Sequence, residues 1–183
     1  FHLAAQSLVQ ESLRDPIGTY STNVMGAAHI LQALTELDRF CVAIFVTSDK
    51  TYENREWLRG YKEDDRLGGN DPYSASKGAA EFAIRAHVKS MGHQYPSTVR
   101  IGVGRAGNVI GGGDWAPGRI VPDCIRSWTK NKEVELRNSQ STRPWQHVLE
   151  PLSGYLFLAV ELEKNMKLHG EPFNFGPSNQ KDY

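Results

Sequence analysis

The sequence predicts an α/β fold, a partial Rossmann-like doubly wound parallel sheet joined to part of a smaller region, and three observations carry that expectation. An apolar, β-branched-rich run, "CVAIFV" (Cys41–Val46), has the unbroken hydrophobicity of a strand buried on both faces. Two Asp-Pro pairs, Asp15-Pro16 and Asp71-Pro72, each precede apolar residues at helical spacing; Asp suits the N-cap and Pro the first helical position. A second apolar run, "STVRIGVGRAGNV", follows the second of these helices. Strands alternating with helices of such lengths imply βαβ units and a parallel sheet.

In chain order, "FHLAA" reads as the end of a short strand. The helix opened by Asp15-Pro16 places Ile17, Tyr20, Val24, Ala27, Leu31 and Leu34 on one apolar face. The strand Cys41–Val46 comes next, then a polar loop through Asn70. Asp71-Pro72 opens the helix "YSASKGAAEFAIRAHVK", and the strand after it ends in the turn-rich "GGGDWAPG". Beyond about residue 120 the alternation loosens. A helix is expected near Pro122–Lys130, a short strand around Val134–Leu136, a helix from about Glu150 and a strand at Phe173–Phe175.

Composition narrows the function classes. At 183 residues the chain can bury one sizeable core. Lys+Arg and Asp+Glu both total 21, so no global field favours nucleic acid or an anionic membrane. Cys41 and Cys124 are the only cysteines. A disulfide framework or thiolate metal site is therefore not expected, and a reducing cytoplasm suits the chain. No histidine pair has ligand spacing, His147 reads as structural, and no metal is expected. No apolar run approaches membrane-spanning length and no signal peptide is visible. The abrupt start at Phe1 and stop at Tyr183 read as the bounds of an internal piece of a longer protein.

The chemistry-bearing residues cluster at two places. At the exit of the Cys41–Val46 strand stand Thr47, Ser48, Asp49 and Lys50. Open α/β sheets bind ligands at such carboxyl ends. On the following helix Tyr73 and Lys77 are spaced to share one face. An ammonium beside a phenol favours the phenolate and lowers the tyrosine pKa from about 10 towards neutrality. Such a pair can act as a general base, with Lys also free to hold a ribose. Ala75, Gly78, Ala79, Ala80 and Ala83 leave little bulk around it. Tyr and Lys at this spacing are commonly an exposed surface pair, so the joint pattern matters more than the pair.

That joint pattern resembles the short-chain dehydrogenase/reductase superfamily. "FHLAAQS", "YSTNVMGA", "RAGNVIGGGDW" and "RPWQHV" resemble its extended, sugar-nucleotide-modifying branch, in the same order along the chain. The resemblance implies NAD as cofactor and a nucleotide-sugar as substrate. It also implies a division into residues 1–120, the carboxyl-side part of an NAD-binding Rossmann domain, and residues 121–183, mostly substrate-binding. The Gly-rich turn that cradles the NAD pyrophosphate in this family is not in the sequence, which matches the family from its fourth strand onward.

Site residues follow from the same resemblance. Ser48, Asp49, Lys50, Tyr73 and Lys77 are the expected catalytic set. Leu3, Ala4, Ala5 and Thr22, with Tyr73 and Lys77, are expected to line the cofactor. Gln6, Ser7, Ser48, Asn108, Arg119, Arg143 and Asn174 are expected at the substrate, Arg143 as a bidentate clamp on its diphosphate and Asn174 at the nucleotide end. Dehydratases of the branch carry Asp-Glu where this chain has Asp49-Lys50. Asp49 would protonate the leaving hydroxyl and Lys50 would take the carbon-acid proton. Donation needs a protonated Asp49 and acceptance a neutral Lys50, which a dry pocket favours; attraction between adjacent opposite charges favours the reverse.

An epimerase of the branch needs Tyr73 and Lys77 but no acid–base pair, so Asp49-Lys50 favours water elimination. A non-catalytic NAD-binding regulator would have no use for Ser48, Tyr73 and Lys77 together. The helices from Pro16 to Leu37 and from Pro72 to Lys89 are expected to pack against their symmetry mates as a four-helix homodimer contact, within a dimer or a higher oligomer.

Overall fold

The computed structural model describes residues 1–91, 99–136 and 138–177. Cys41–Val46 forms β1 and Val99–Ala106 forms β2. The two run parallel, with Cys41 opposite Val99 and Val46 opposite Gly104. Ser97 and Thr98, expected to begin the second strand, lie outside the described residues. Two short strands, β3 (Val109–Ile110) and β4 (Gln146–His147), make a separate parallel pair. Pro172–Phe175 forms β5 on the far side of β2, giving the order β1-β2-β5. His2 adds a parallel bridge to Phe45 on the other edge of β1, consistent with "FHLAA" as a strand end.

The helices are α1 (Val9–Arg14), α2 (Pro16–Tyr20), α3 (Gly26–Thr35), α4 (Pro72–Met91), α5 (Ile120–Trp128) and α6 (Leu149–Lys164). Alternation along β1 and β2 sends side chains to two faces. On one face Phe45, Val99, Ile101 and Val103 pack against Ala27, Leu31 and Leu34 of α3 and Ala80 and Ile84 of α4. On the other, Ile44 packs with Tyr155, Leu158 and Leu162 of α6. Helices on both faces of a parallel sheet make the doubly wound arrangement expected. Leu162 is fully buried, so Leu162→Ala should cost about 2–5 kcal/mol. A denaturant midpoint lowered at unchanged slope would register it.

Both Asp-Pro starts are used as caps. The Asp15 carboxylate accepts from Gly18 N at 2.8 Å. Asp71 accepts from Ser74 N at 2.9 Å and from Ser74 Oγ at 2.7 Å. Between α2 and α3 the helix widens into a π turn, Ser21–Met25. The extra residue in such a turn rotates everything after it. The apolar face expected from Ile17 to Leu34 is therefore not one face: Ile17 and Tyr20 are exposed, whereas Ala27, Leu31 and Leu34 enter the core.

Other expectations need correction. Val134–Leu136 forms no strand; Glu133, Glu135 and Leu136 are exposed. The α1 helix and the β3/β4 pair were not expected. Alternation is too short in either to register as periodicity.

Candidate active site

β1 ends where its backbone ladder ends, with Thr47 N donating to Gly104 O at 2.8 Å. The chain then tightens into one 3₁₀ turn, Asp49–Thr51, with Ser48 as its N-cap. Ser48 Oγ accepts from Lys50 N at 3.2 Å and donates to Asp49 Oδ1 at 3.0 Å. Successive side chains on such a turn diverge by about a third of a revolution. Asp49 and Lys50 accordingly form no ion pair among the described residues.

Asp49 lies beside the exit of β2. A Cβ on Gly107 would sit 3.5 Å from Asp49 Oδ2 and only 2.5 Å from Pro144 Cγ. Gly107 thus lets the "RPWQ" loop close over the strand end next to the carboxylate.

The α4 helix brings Tyr73 and Lys77 to the same place. Burial pushes the Tyr73 phenol up, hydrogen bonding with Ser48 pulls it down, Asp49 pushes it up, Arg119 pulls it down and Asp71 pushes it up. The net effect is a rise: the chain by itself leaves Tyr73 above its ordinary value, against the lowering expected from Lys77. Lys77 is 7% exposed. Burial pushes its ammonium down and Glu81 pulls it back up. Among the described residues its ammonium makes no hydrogen bond or ion pair. Lys77 lines a narrow cavity with Ala4, Asn23 and Thr47. A buried ammonium without a protein acceptor, facing a small side chain, fits a hydroxyl-bearing ligand such as a ribose.

Asn23, on the π turn, holds these parts in register. Its Oδ1 accepts from Gln6 N at 2.8 Å, and its Nδ2 donates to Gln6 O at 3.0 Å and to Ser76 Oγ at 2.8 Å. Ser76 Oγ donates onward to Tyr73 O at 2.7 Å. One buried amide thereby joins the Ala4–Gln6 strand end to the first turn of α4. Asn23→Ala leaves those buried groups unsatisfied and should cost about 1–3 kcal/mol, measurable as a lowered urea midpoint.

Residues 1–176 match the family model described as "NAD dependent epimerase/dehydratase family". The chain belongs to this family. It is 49% identical over 184 residues to CDP-glucose 4,6-dehydratase of Salmonella typhimurium, covering 98% of this chain and 51% of that protein. It is 32% identical over 178 residues to dTDP-glucose 4,6-dehydratase of Streptomyces griseus, covering 96% and 49%. Among solved structures, dTDP-glucose 4,6-dehydratase from Bacillus anthracis in complex with NAD is similar at a TM-score of 0.74 and 26% identity, over 97% of this chain and 50% of that one. UDP-glucuronic acid 4-epimerase from Bacillus cereus shares the fold at a TM-score of 0.82 and 21% identity, over 98% and 54%. The chain spans about half the length of the relatives it matches.

For this epimerase/dehydratase chain the other expected positions divide. Arg119 joins the site, with Nη2 reaching Ser7 Oγ at 3.3 Å and Ser7 O at 3.4 Å. Leu3 and Ala4 are exposed at the strand end, Ala5 is half-buried, and Thr22 is exposed on the π turn. Asn108 is half-buried, its carbonyl accepting from Gln146 N at 3.1 Å. Arg143 is exposed, and its Nη1 donates to Thr142 O at 2.6 Å.

Two expected substrate residues carry side-chain hydrogen bonds within the protein. Gln6 Nε2 donates to Thr19 Oγ1 at 2.8 Å and to Leu8 O at 3.1 Å, so its amide braces the turn into α1. Asn174 Oδ1 accepts from Tyr52 OH at 2.6 Å, and its Nδ2 donates to Tyr61 O at 3.0 Å. Both ends of that amide thus have partners inside the protein.

Asn23, Thr47, Tyr52, Glu81 and Arg105 carry polar contacts that sequence reasoning missed. One signal was present: Arg105 is a charge inside an otherwise apolar strand, and such a charge needs a buried partner.

Proposed function

We propose that the intact protein dehydrates CDP-glucose to CDP-4-keto-6-deoxyglucose with NAD as cofactor. The observation that carries the reading is the convergence of Ser48, Asp49 and Tyr73 at the exit of β1, with Lys77 buried one helical turn away. The 49% identity to a CDP-glucose 4,6-dehydratase supports a cytidine nucleotide. Residues 1–120 supply the carboxyl-side part of the dinucleotide-binding domain with the catalytic residues, and 121–183 are mostly part of a substrate-binding region.

Lys77 and Tyr73 would hold the nicotinamide ribose, with Leu3, Ala4, Ala5 and Thr22 along the cofactor. When bound, NAD supplies the hydride acceptor for carbon 4 and the donor for carbon 6, and its cationic ring favours a phenolate. Tyr73 takes the proton of the 4-hydroxyl, and Ser48 holds the same oxygen. The resulting 4-ketone acidifies the carbon-5 hydrogen, which Lys50 removes. Asp49 gives its proton to the 6-hydroxyl, which leaves as water. A proton returned to carbon 5 completes the 4-keto-6-deoxy sugar. Ser7, Asn108 and Arg119 contact the substrate, and Arg143 reaches its diphosphate from the loop over Gly107.

Incubating the intact protein and NAD with CDP-, dTDP-, GDP- and UDP-hexoses tests the reading. CDP-glucose should give the base-induced ultraviolet absorbance of a 4-keto sugar. An epimerised hexose without that absorbance would replace elimination by epimerisation.

We place the protein in the cytoplasm, where free Cys41 and Cys124 stay reduced; among the described residues no helix is long and apolar enough to cross a membrane. Exposed Ile17, Met25 and Ile30, with Phe82 on α4, give the two helices an apolar outer surface suited to a four-helix homodimer contact. Light scattering of the intact protein at micromolar concentration should return twice the protomer mass. A monomer would exclude that contact.

A further inference from the structure

We infer that Glu81 is a positioning residue: its buried carboxylate ties the helix bearing Tyr73 and Lys77 to the strand exit bearing Ser48 and Asp49, and is the counter-charge that Lys77 faces. The inference rests on the proposed reading of the site as a dehydratase and deepens it.

Three elements meet on this one carboxylate. On α4, Glu81 lies one turn beyond Lys77 and two beyond Tyr73, so the three share a face. From β2, Arg105 Nε donates to Oε1 at 2.9 Å and to Oε2 at 3.0 Å, and Nη2 donates to Oε2. From the end of β1, Thr47 Oγ1 donates to Oε1 at 2.6 Å. Thr47 immediately precedes Ser48. The Glu81 and Arg105 side chains are only 5% and 3% exposed.

Arg105 is itself anchored on its other side. Its Nη1 donates to Tyr52 OH at 2.6 Å and to Glu63 O at 3.0 Å, and the guanidinium lies 4.8 Å from the centre of the Tyr52 ring. With Arg105 held by β2 and by Tyr52, the carboxylate cannot slide, and neither can the Thr47 hydroxyl it accepts from. An ion pair that served only to neutralise Arg105 would have no need of Thr47. The link fixes where Ser48 stands relative to Tyr73.

The charge matters separately. His2 faces Lys77 from the amino-terminal strand and is lowered by burial and then by the Lys77 charge. Tyr73 lies on the same helix, with Asp49 and Arg119 acting on the phenol from the β1 exit and the loop before α5. Glu81 is the anion that opposes the effect of burial on Lys77. It does so without touching the ammonium, whose donors stay available to a ligand.

Thr47→Val and Glu81→Gln, the latter paired with Glu81→Asp, test this in the intact protein. Thr47→Val removes one hydroxyl at nearly constant volume and keeps the ion pair, so it should fold with a near-normal melting temperature. Its kcat for CDP-glucose should fall roughly ten- to hundred-fold with KM little changed, because positioning of a general base acts on the chemical step. In Glu81→Gln, the ¹³Cε resonance of Lys77, assigned with Lys77→Met, should titrate at lower pH than in the wild type, and Glu81→Asp should restore the midpoint in part. The titration needs no turnover. If the wild-type protein leaves CDP-glucose unchanged, the functional reading falls while the Lys77 midpoint still judges Glu81. A wild-type kcat for Thr47→Val in an active protein, or an unmoved Lys77 midpoint in Glu81→Gln, would overturn the assignment.

Discussion

Replacing Tyr73 with phenylalanine should reduce turnover by about a hundred- to ten-thousand-fold, the usual worth of a positioned general base, with sugar-nucleotide affinity nearly unchanged. The phenol hydroxyl is the only group removed, and the ring keeps its place on α4. Two structural facts make the loss large. Hydrogen bonding with Ser48 and the positive charge of Arg119 both pull the phenol down against the larger effect of burial. Neither has a proton-accepting role to substitute for the one lost. Steady-state kcat together with calorimetric binding of the sugar nucleotide separates the two quantities. Near-normal turnover would remove Tyr73 from its role as base.

The second large effect belongs to the 3₁₀ turn. Lys50→Ala should still oxidise carbon 4 but stall before water is lost, again by about a hundred- to ten-thousand-fold. Asp49→Asn should stall at the same stage, since an amide cannot donate a proton of comparable acidity. Quenched single-turnover mass spectrometry should find the hexose that has lost hydrogen but kept its oxygen. Asp49 is held by Ser48 and lies against Gly107, whereas Lys50, next on the 3₁₀ turn, is offset by about a third of a revolution, which allows the two separate roles. If Lys50→Ala exchanges the carbon-5 hydrogen with solvent at the wild-type rate, the base lies elsewhere.

Local signals in the sequence were sufficient for the framework of this site. Asp15 and Asp71 cap their helices through contacts spanning three residues, a range at which residue type alone carries the information. β1 was legible from its unbroken apolar run, and so was the common face of Tyr73 and Lys77. What failed depended on distant partners. The π turn has no compositional signature, so the face of the Pro16 helix could not be followed past Tyr20. Asn23 acts through Ser76, 53 residues away, and Asn174 through Tyr52, 122 residues away. For Asn174 and Gln6 the resemblance supplied a substrate role, and their contacts with Tyr52, Tyr61 and Thr19 were not legible beside it. The expected effect of Lys77 on Tyr73 failed for a related reason: spacing reports proximity, but not how deeply the phenol is buried.

Elimination across carbons 5 and 6 of a cytidine-nucleotide hexose at the Ser48–Lys50 turn is tested most directly by isotope placement. The intact protein would be given NAD and CDP-glucose deuterated at carbon 4, in ordinary water, and the product examined by NMR. The expected product is CDP-4-keto-6-deoxyglucose with the deuterium moved to carbon 6 and a solvent hydrogen at carbon 5. Deuterium returned to carbon 4 of an intact, epimerised hexose would contradict the account, as would a substrate that remains unchanged.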